Sequence, residues 1–418
     1  MKHKSTELSS EPLISLDQQS RLAKKWLSQA RMVINLPSLS AYEDTLIVVG
    51  EMSTRMKICY VITALDQELS PVQRNAWPRI QLIKVPLSEF PVQATTFVKR
   101  LIKGDGIEII HDFFGHFSSA CERYKHRKRD FIMIHTQRTT NWGWFSRVKP
   151  RGYQIDLHYA GQRTKALWND TRILHAVDHV TVMGPGHELD LEEGHQLSTE
   201  AVSFIPSETD CERFTPAQHQ ELSHTLLYTG AFVRTKGLDL LLELFTHLGT
   251  ERPEIKLILI GRETPFEREW FRRAIETHPL RSRIEVISFL PREALIDHYR
   301  AARLYLFPSL FEGSPRSLRE AIACGTPAIA SDIPGHRGID PQGNFIRFAP
   351  VDDLSRWLGL AREALDEDEA SYRIRAEDGA RHLNTIHHPS VIAQQWLNLY
   401  EQVALQRGLC AHFEHGSS

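Results

Sequence analysis

Short apolar runs alternate with amphipathic segments through the second half of the chain. The runs are LLYTG (Leu226–Gly230), IKLILIG (Ile255–Gly261), IEVISF (Ile284–Phe289), LYLFPS (Leu304–Ser309), PAIAS (Pro327–Ser331) and NFIRFA (Asn344–Ala349). Brief β-branched and aromatic runs separated by stretches of helical period are the pattern of a parallel sheet with crossover helices. Helices are expected at Gly237–Leu248, Phe266–Thr277, Arg292–Ala302 and Arg316–Cys324. The first half carries the same alternation less clearly, at LIVVG (Leu46–Gly50), KICYVI (Lys57–Ile62), IQLIKV (Ile80–Val85), IEIIH (Ile107–His111), FIMIH (Phe131–His135) and VTVMG (Val180–Gly184). It reads as a second α/β domain. The turn-rich stretch Pro206–Gln218 separates the halves. Beyond Pro350, DDLSRWLGLAREAL and VIAQQWLNLYEQVAL have helical period and predict a helical tail. In doubly wound sheets of this kind, ligands bind beyond the carboxyl ends of the strands.

Length supports the division, because 418 residues exceed the roughly 250–300 at which one hydrophobic core stops growing. Charge argues against a polyanion as partner, since 50 Lys and Arg nearly cancel 52 Asp and Glu. No nucleic acid is expected to bind. Cys59, Cys121, Cys211, Cys324 and Cys410 are odd in number and far apart, which fits a reducing compartment without zinc ribbons or disulfides. The first residues are polar, and no run approaches the ~20 apolar residues of a membrane span, so a cytoplasmic protein is expected. Leu22, Trp26, Leu27 and Ala30 share one side of a helix carrying Arg21, Lys24, Lys25 and Arg31. Packing of that face on its own domain is the expectation, with peripheral contact at the inner membrane face as the alternative.

The stretch FEGSPRSLREAIACGTP (Phe311–Pro327) carries the clearest chemistry. It follows the strand LYLFPS and turns into a helix, with Ser314 expected as N-cap and Pro315 as first helical residue. The backbone N–H groups of Arg316, Ser317 and Leu318 then form an anion site at the helix start. Glu320 sits about 9 Å further along at 1.5 Å per residue, a separation that suits a nucleotide with its diphosphate on the helix end and its ribose at Glu320. Glu312, on the preceding loop, faces whatever hangs from the other phosphate. A second loop, AFVRTKG after LLYTG, brings Lys236 to another strand end. Its spacing is not that of a phosphate loop of metal-nucleotide ATPases. The acidic triplet Asp366-Glu367-Asp368 lies in the polar tail, and His187 and His195 lack ligand spacing, so no metal is expected.

These residues resemble the retaining glycosyltransferases of family 4, which have the GT-B architecture of two facing Rossmann-like domains. The resemblance covers mainly Leu226–Gly338. It rests on YTGAFVRTKGLDLL, KLILIG, VISFLPREALIDHYRAARLYLFPS and FEGSPRSLREAIACGTPAIASDIPG, whose two glutamates stand with seven residues between them. In the first half IEIIHDFFGH, FIMIHTQ, and AVDHVTVMG followed by SFIPSETDCERFTP occur in the family's order. The resemblance implies an acceptor-binding domain at residues 1–215, a nucleotide-sugar donor domain at 216–390 and a helical tail at 391–418. It implies transfer of a sugar from a nucleotide-diphosphate sugar to an acceptor hydroxyl with retention, without a metal or other cofactor, in cell-surface glycan or glycoconjugate synthesis. By the same resemblance Lys236 neutralises the donor diphosphate, Glu320 holds the ribose, Glu312 contacts the transferred sugar and His135 lies beside that sugar. The implied donor set is Gly230, Arg234, Lys236, Leu290, Glu312, Gly313, Ser314, Arg316, Ser317, Leu318 and Glu320.

The chain departs from the family in places. Ala231 stands where arginine is usual, with Arg234 as its substitute, and Ser207-Glu208 replaces an asparagine-glycine. No glycine-rich loop follows the expected strand LIVVG, which only EMSTRM joins to KICYVIT. A non-catalytic GT-B scaffold is therefore a rival reading, as is a nucleotide-sugar epimerase. The basic run Tyr124–Asp130 is expected as a solvated helix end, with an anionic membrane or lipid diphosphate as the alternative. Trp142, Trp144 and Phe145 are candidates to stack on an acceptor sugar or to fill a core.

Overall fold

The computed structural model describes residues 15–39, 42–104, 106–113, 130–137, 167–168, 170–217 and 223–411. Two parallel sheets carry the fold. The first comprises β1 (Arg31–Asn35), β2 (Ile58–Ala64), β3 (Ile80–Val85), β4 (Ile109–Asp112), β5 (Ile132–Gln137), β6 (His179–Val182) and β7 (Val202–Phe204), in the order β3-β2-β1-β4-β5-β6-β7. The second comprises β8 (Thr225–Thr229), β9 (Lys256–Gly261), β10 (Ile284–Ser288), β11 (Leu304–Phe307), β12 (Ala328–Ser331) and β13 (Ile346–Ala349), in the order β10-β9-β8-β11-β12-β13. Strand order reverses between β1 and β4 and again between β8 and β11. Each reversal splays two loops apart at the carboxyl ends of the strands and opens a crevice for a ligand.

In the second half all six expected strands form, and the four expected helices appear as Leu238–Glu251, Arg268–Glu276, Arg292–Ala301 and Arg316–Ala323. The first half requires a correction. Leu46–Gly50, expected as a strand, is the middle of a helix, Glu43–Ser53, in which Leu46, Val48, Val49 and Met52 are all buried. A short apolar run inside a buried helix has the same pattern as one inside a buried strand. The first strand is instead Arg31–Asn35, so EMSTRM is not the loop that follows it. That loop is Leu36–Tyr42, of which Ser40 and Ala41 lie outside the described residues, and it too contains no glycine.

The helices after β13 divide between the two cores. Leu354–Asp366 packs on Leu238–Glu251, and Glu369–Ile386 packs on Arg316–Ala323. Pro389–Gln406 crosses back and places Ile392, Trp396, Tyr400 and Val403 in the first core. Helix Leu16–Gln29 lies on it with Ala23, Trp26 and Leu27 buried, so the face considered for a membrane is taken by its own domain. Among the described residues no helix is long and apolar enough to cross a membrane. The separating segment is packed: Ser207, Glu208, Thr209 and Asp210 are buried. Arg319 donates to the Glu208 carbonyl and the Thr209 hydroxyl at 3.0 Å each, and Thr45 of the first domain donates to the Glu208 carboxylate.

Candidate functional site

The crevice beside β8 and β11 brings together Lys236, Glu312 and the start of the helix that carries Glu320. Arg234–Lys236 forms a single 3₁₀ turn after β8, and Gly237 follows with φ of 72°. A side chain at Gly237 would put its Cβ 2.0 Å from the Pro308 carbonyl oxygen, so only glycine lets the β8 loop lie against the β11 loop. This contact brings Lys236 to Glu312, and the two form an ion pair. Phe307 lies under the ammonium, 5.9 Å from it. Behind it His336 is fully buried with its Nδ1 2.8 Å from the Ser331 carbonyl. Burial pushes its pKa down to about 4 against the pull of Glu312, so the ring is neutral at ordinary pH.

The helix start differs from expectation in one respect. Pro315 is the N-cap, with extended ψ of 116°, and Arg316 is the first helical residue. Ser314 does not cap the helix, because its hydroxyl and carbonyl oxygens accept from Arg319 at 2.6 and 2.8 Å. The first-turn N–H groups of Arg316, Ser317 and Leu318 have no partner within the helix by its own geometry. Ser317 donates to the Thr229 carbonyl at 3.3 Å, and the Leu318 side chain is fully buried, so only its backbone can face a ligand. The Arg316 side chain is half exposed, 3.9 Å from Glu320.

Glu320 is 3% exposed and meets residues that the sequence reading did not single out. Arg292 donates to its Oε1 through Nη2 at 2.7 Å and Nε at 3.1 Å. Tyr299 donates to its Oε2 at 3.1 Å. Burial raises the Glu320 pKa, with Arg292 and Arg316 opposing. Arg292 also donates from Nη2 to Asp44 of the first domain at 3.0 Å. Beside it, Arg213 holds Glu43 through two bonds of 2.6 and 2.8 Å. This cross-domain cluster went unread because Asp44 and Arg292 are separated by 248 positions and Asp44 lies outside every stretch that carries the resemblance.

Other expected residues fall further out. Gly230 follows β8 directly, and a Cβ there would meet the Tyr228 hydroxyl at 2.7 Å. Arg234 lays its guanidinium over Trp270, 4.8 Å from the ring centre. It is turned toward helix Arg268–Glu276 and is not joined to the Lys236–Glu312 pair. Leu290 is half-buried against the second core. Gly313 presents its carbonyl to the first domain, where a Cβ on Gly184 would come within 2.5 Å. His135 is buried on β5 with Nε2 2.8 Å from Gln137 and Nδ1 3.7 Å from Asp112, both partners belonging to the first sheet. Burial works against its protonation, and Asp112 and Gln137 outweigh that, so its pKa lies above 6.5. Asp366 pairs with Arg252, Glu367 with Arg347 and Arg375, and Asp368 caps helix Glu369–Ile386. Residues 124–129 and the aromatic loop 141–152 lie outside the described residues.

Comparison with known proteins places this geometry. Residues 212–347 match the family described as glycosyl transferases group 1. Mannosylfructose-phosphate synthase of Agrobacterium fabrum is 28% identical over 227 residues, 50% of this chain and 50% of that protein. The chain spans about half the length of the curated relatives it matches first. Among solved structures, sucrose-phosphate synthase of Thermosynechococcus elongatus superposes with a TM-score of 0.72 at 20% identity, covering 90% of this chain and all of that one. HepE of Anabaena, in a structure with UDP-glucose, gives 0.66 at 12% identity, covering 89% of this chain and 99% of that one. At these identities the likeness gives the fold, two Rossmann-like domains of GT-B type with a helical C-terminal tail.

Proposed function

We propose that this chain, whose residues 212–347 match the family described as glycosyl transferases group 1, moves a sugar from a nucleotide-diphosphate sugar to an acceptor hydroxyl with retention of anomeric configuration. One observation carries the reading most of the way. Lys236 and Glu312 meet where β8 and β11 diverge, and Glu320 follows on the helix that starts there. HepE has been solved in complex with UDP and with UDP-glucose, which supports a nucleotide-sugar donor here. The helix start at Arg316–Leu318 would take the diphosphate and Lys236 would neutralise it. Glu320 would accept from the ribose, and Glu312, freed from Lys236, would accept from sugar hydroxyls.

In the reaction the bond from the anomeric carbon to the phosphate oxygen breaks, and its electron pair stays on the diphosphate. The acceptor oxygen bonds to the carbon from the same face, and its proton passes to the leaving phosphate. Donors fixed in advance on that developing charge are worth roughly 3–4 kcal/mol each. Because Lys236 and the helix start supply cationic and N–H groups at the phosphates, we assign no role to a metal, and activity should persist in EDTA. The test is product formation from labelled UDP-, GDP- and ADP-sugars against a panel of glycan, lipid-linked and small polyol acceptors. Transfer with retained configuration, lost in Lys236→Ala, supports the reading. Epimerised donor in place of transferred sugar, or nucleotide binding without turnover for any acceptor, contradicts it.

A further inference from the structure

Arg292 stands between Glu320 of the second domain and Asp44 of the first. Its side chain is 16% exposed, against 4% for both Glu320 and Asp44. It grips Glu320 Oε1 through two nitrogens and reaches Asp44 Oδ2 with one of the same nitrogens. A second contact with Asp44 is made as an ion pair without hydrogen-bond geometry. Arg292 Nη1 and Asp44 Oδ1 are buried and 3.0 Å apart, yet neither has a hydrogen bond. The guanidinium carbon sits 4.9 Å above the Phe214 ring, a surface over which a planar cation can turn without losing that contact. Glu43 also faces the guanidinium, its Oε2 3.6 Å from Arg292 Nη1, but Arg213 holds both Glu43 oxygens by hydrogen bonds.

We propose that Arg292 is a positioning residue that gates Glu320, with Asp44 of the facing domain as its alternative seat. This rests on the reading of Glu320 as the ribose carboxylate. When ribose hydroxyls take Glu320, the guanidinium turns on Phe214 and completes a forked pair with Asp44. The buried cation then keeps its charge partner, which is what makes its release from Glu320 affordable in energy. Donor occupancy and the contact between the two domains are thereby coupled.

The two ends of one ion pair must then act with opposite sign on nucleotide affinity. Calorimetry with UDP, GDP and ADP on the full chain should show Arg292→Gln binding its preferred nucleotide roughly fivefold more tightly than the wild type, and Asp44→Asn roughly fivefold more weakly. The double variant should match Arg292→Gln, because Asp44 matters only through the arginine. If Arg292→Gln does not fold, Arg292→Lys replaces it and should also tighten binding, since a single ammonium cannot reproduce the fork on Glu320. Weakening in both single variants, or no change in either, overturns the gate while leaving the donor site intact, provided that Glu320→Ala loses affinity. Absence of nucleotide binding by the wild type overturns the donor site and the gate together.

Discussion

At the scale of single residues the site joins a partly exposed ion pair, Lys236–Glu312, to a buried carboxylate, Glu320. Lys236 and Glu320 serve different parts of a nucleotide in this account, so Lys236→Ala and Glu320→Ala should each lower turnover at least about tenfold, equivalent to 1.4 kcal/mol or more of transition-state stabilisation. Near-normal rates in both would remove the assignment. Glu320 also gives a pH signature. Its pKa is raised by burial, and only the ionised carboxylate accepts from two ribose hydroxyls. Nucleotide affinity should therefore fall on acidification through a range above pH 4.5, the ordinary value, and titrations of Glu320→Gln should lack that fall. The two glutamates drew attention because they flank a helix start, with Lys236 on a second loop, in a stretch that resembles the family's. Arg292, Tyr299 and Asp44 did not, because what they do depends on contacts between distant segments. Ser314 was misassigned for a local reason: a fully buried Arg319 takes its oxygens and outcompetes the helix N–H groups.

At the scale of elements, the site depends on two loops held in contact. Gly237→Ala would place a methyl against the Pro308 carbonyl and force a left-handed φ of 72° on alanine. Urea unfolding should show a loss of roughly 2–4 kcal/mol, with nucleotide affinity reduced because Lys236 is displaced. An alanine variant of wild-type stability would mean that the loops have room to part. The strands of the second sheet were readable because each is a short apolar run between amphipathic helices. In the first half the same rule misplaced Leu46–Gly50, since helix Glu43–Ser53 is buried on most of its surface and has no polar face to show its period. That error also misplaced the loop at which an acceptor site was sought.

At the scale of the molecule, the C-terminal helix Pro389–Gln406 ties the end of the chain into the first core. Trp396 is 2% exposed there, and Trp396→Ala should cost about 3–5 kcal/mol. Hydrogen exchange should localise the loss, with amides of β1 and β4 exchanging faster and those of β8 and β11 little changed. Uniform acceleration in both sheets would contradict separate cores. Between the domains, Arg292–Asp44, Arg213–Glu43 and Thr45–Glu208 form a polar contact beside the β8–β11 crevice.

The central claim is that a nucleoside diphosphate binds between the β8 and β11 loops. Thermal unfolding of the purified protein with UDP, GDP, ADP and their sugar conjugates tests it most directly, with Lys236→Ala alongside. A ligand at a hundred times its dissociation constant should add about 2.7 kcal/mol. The account predicts a clear upward shift with one nucleotide that is lost in the variant. No shift with any of them, or a shift of equal size in Lys236→Ala, would contradict it.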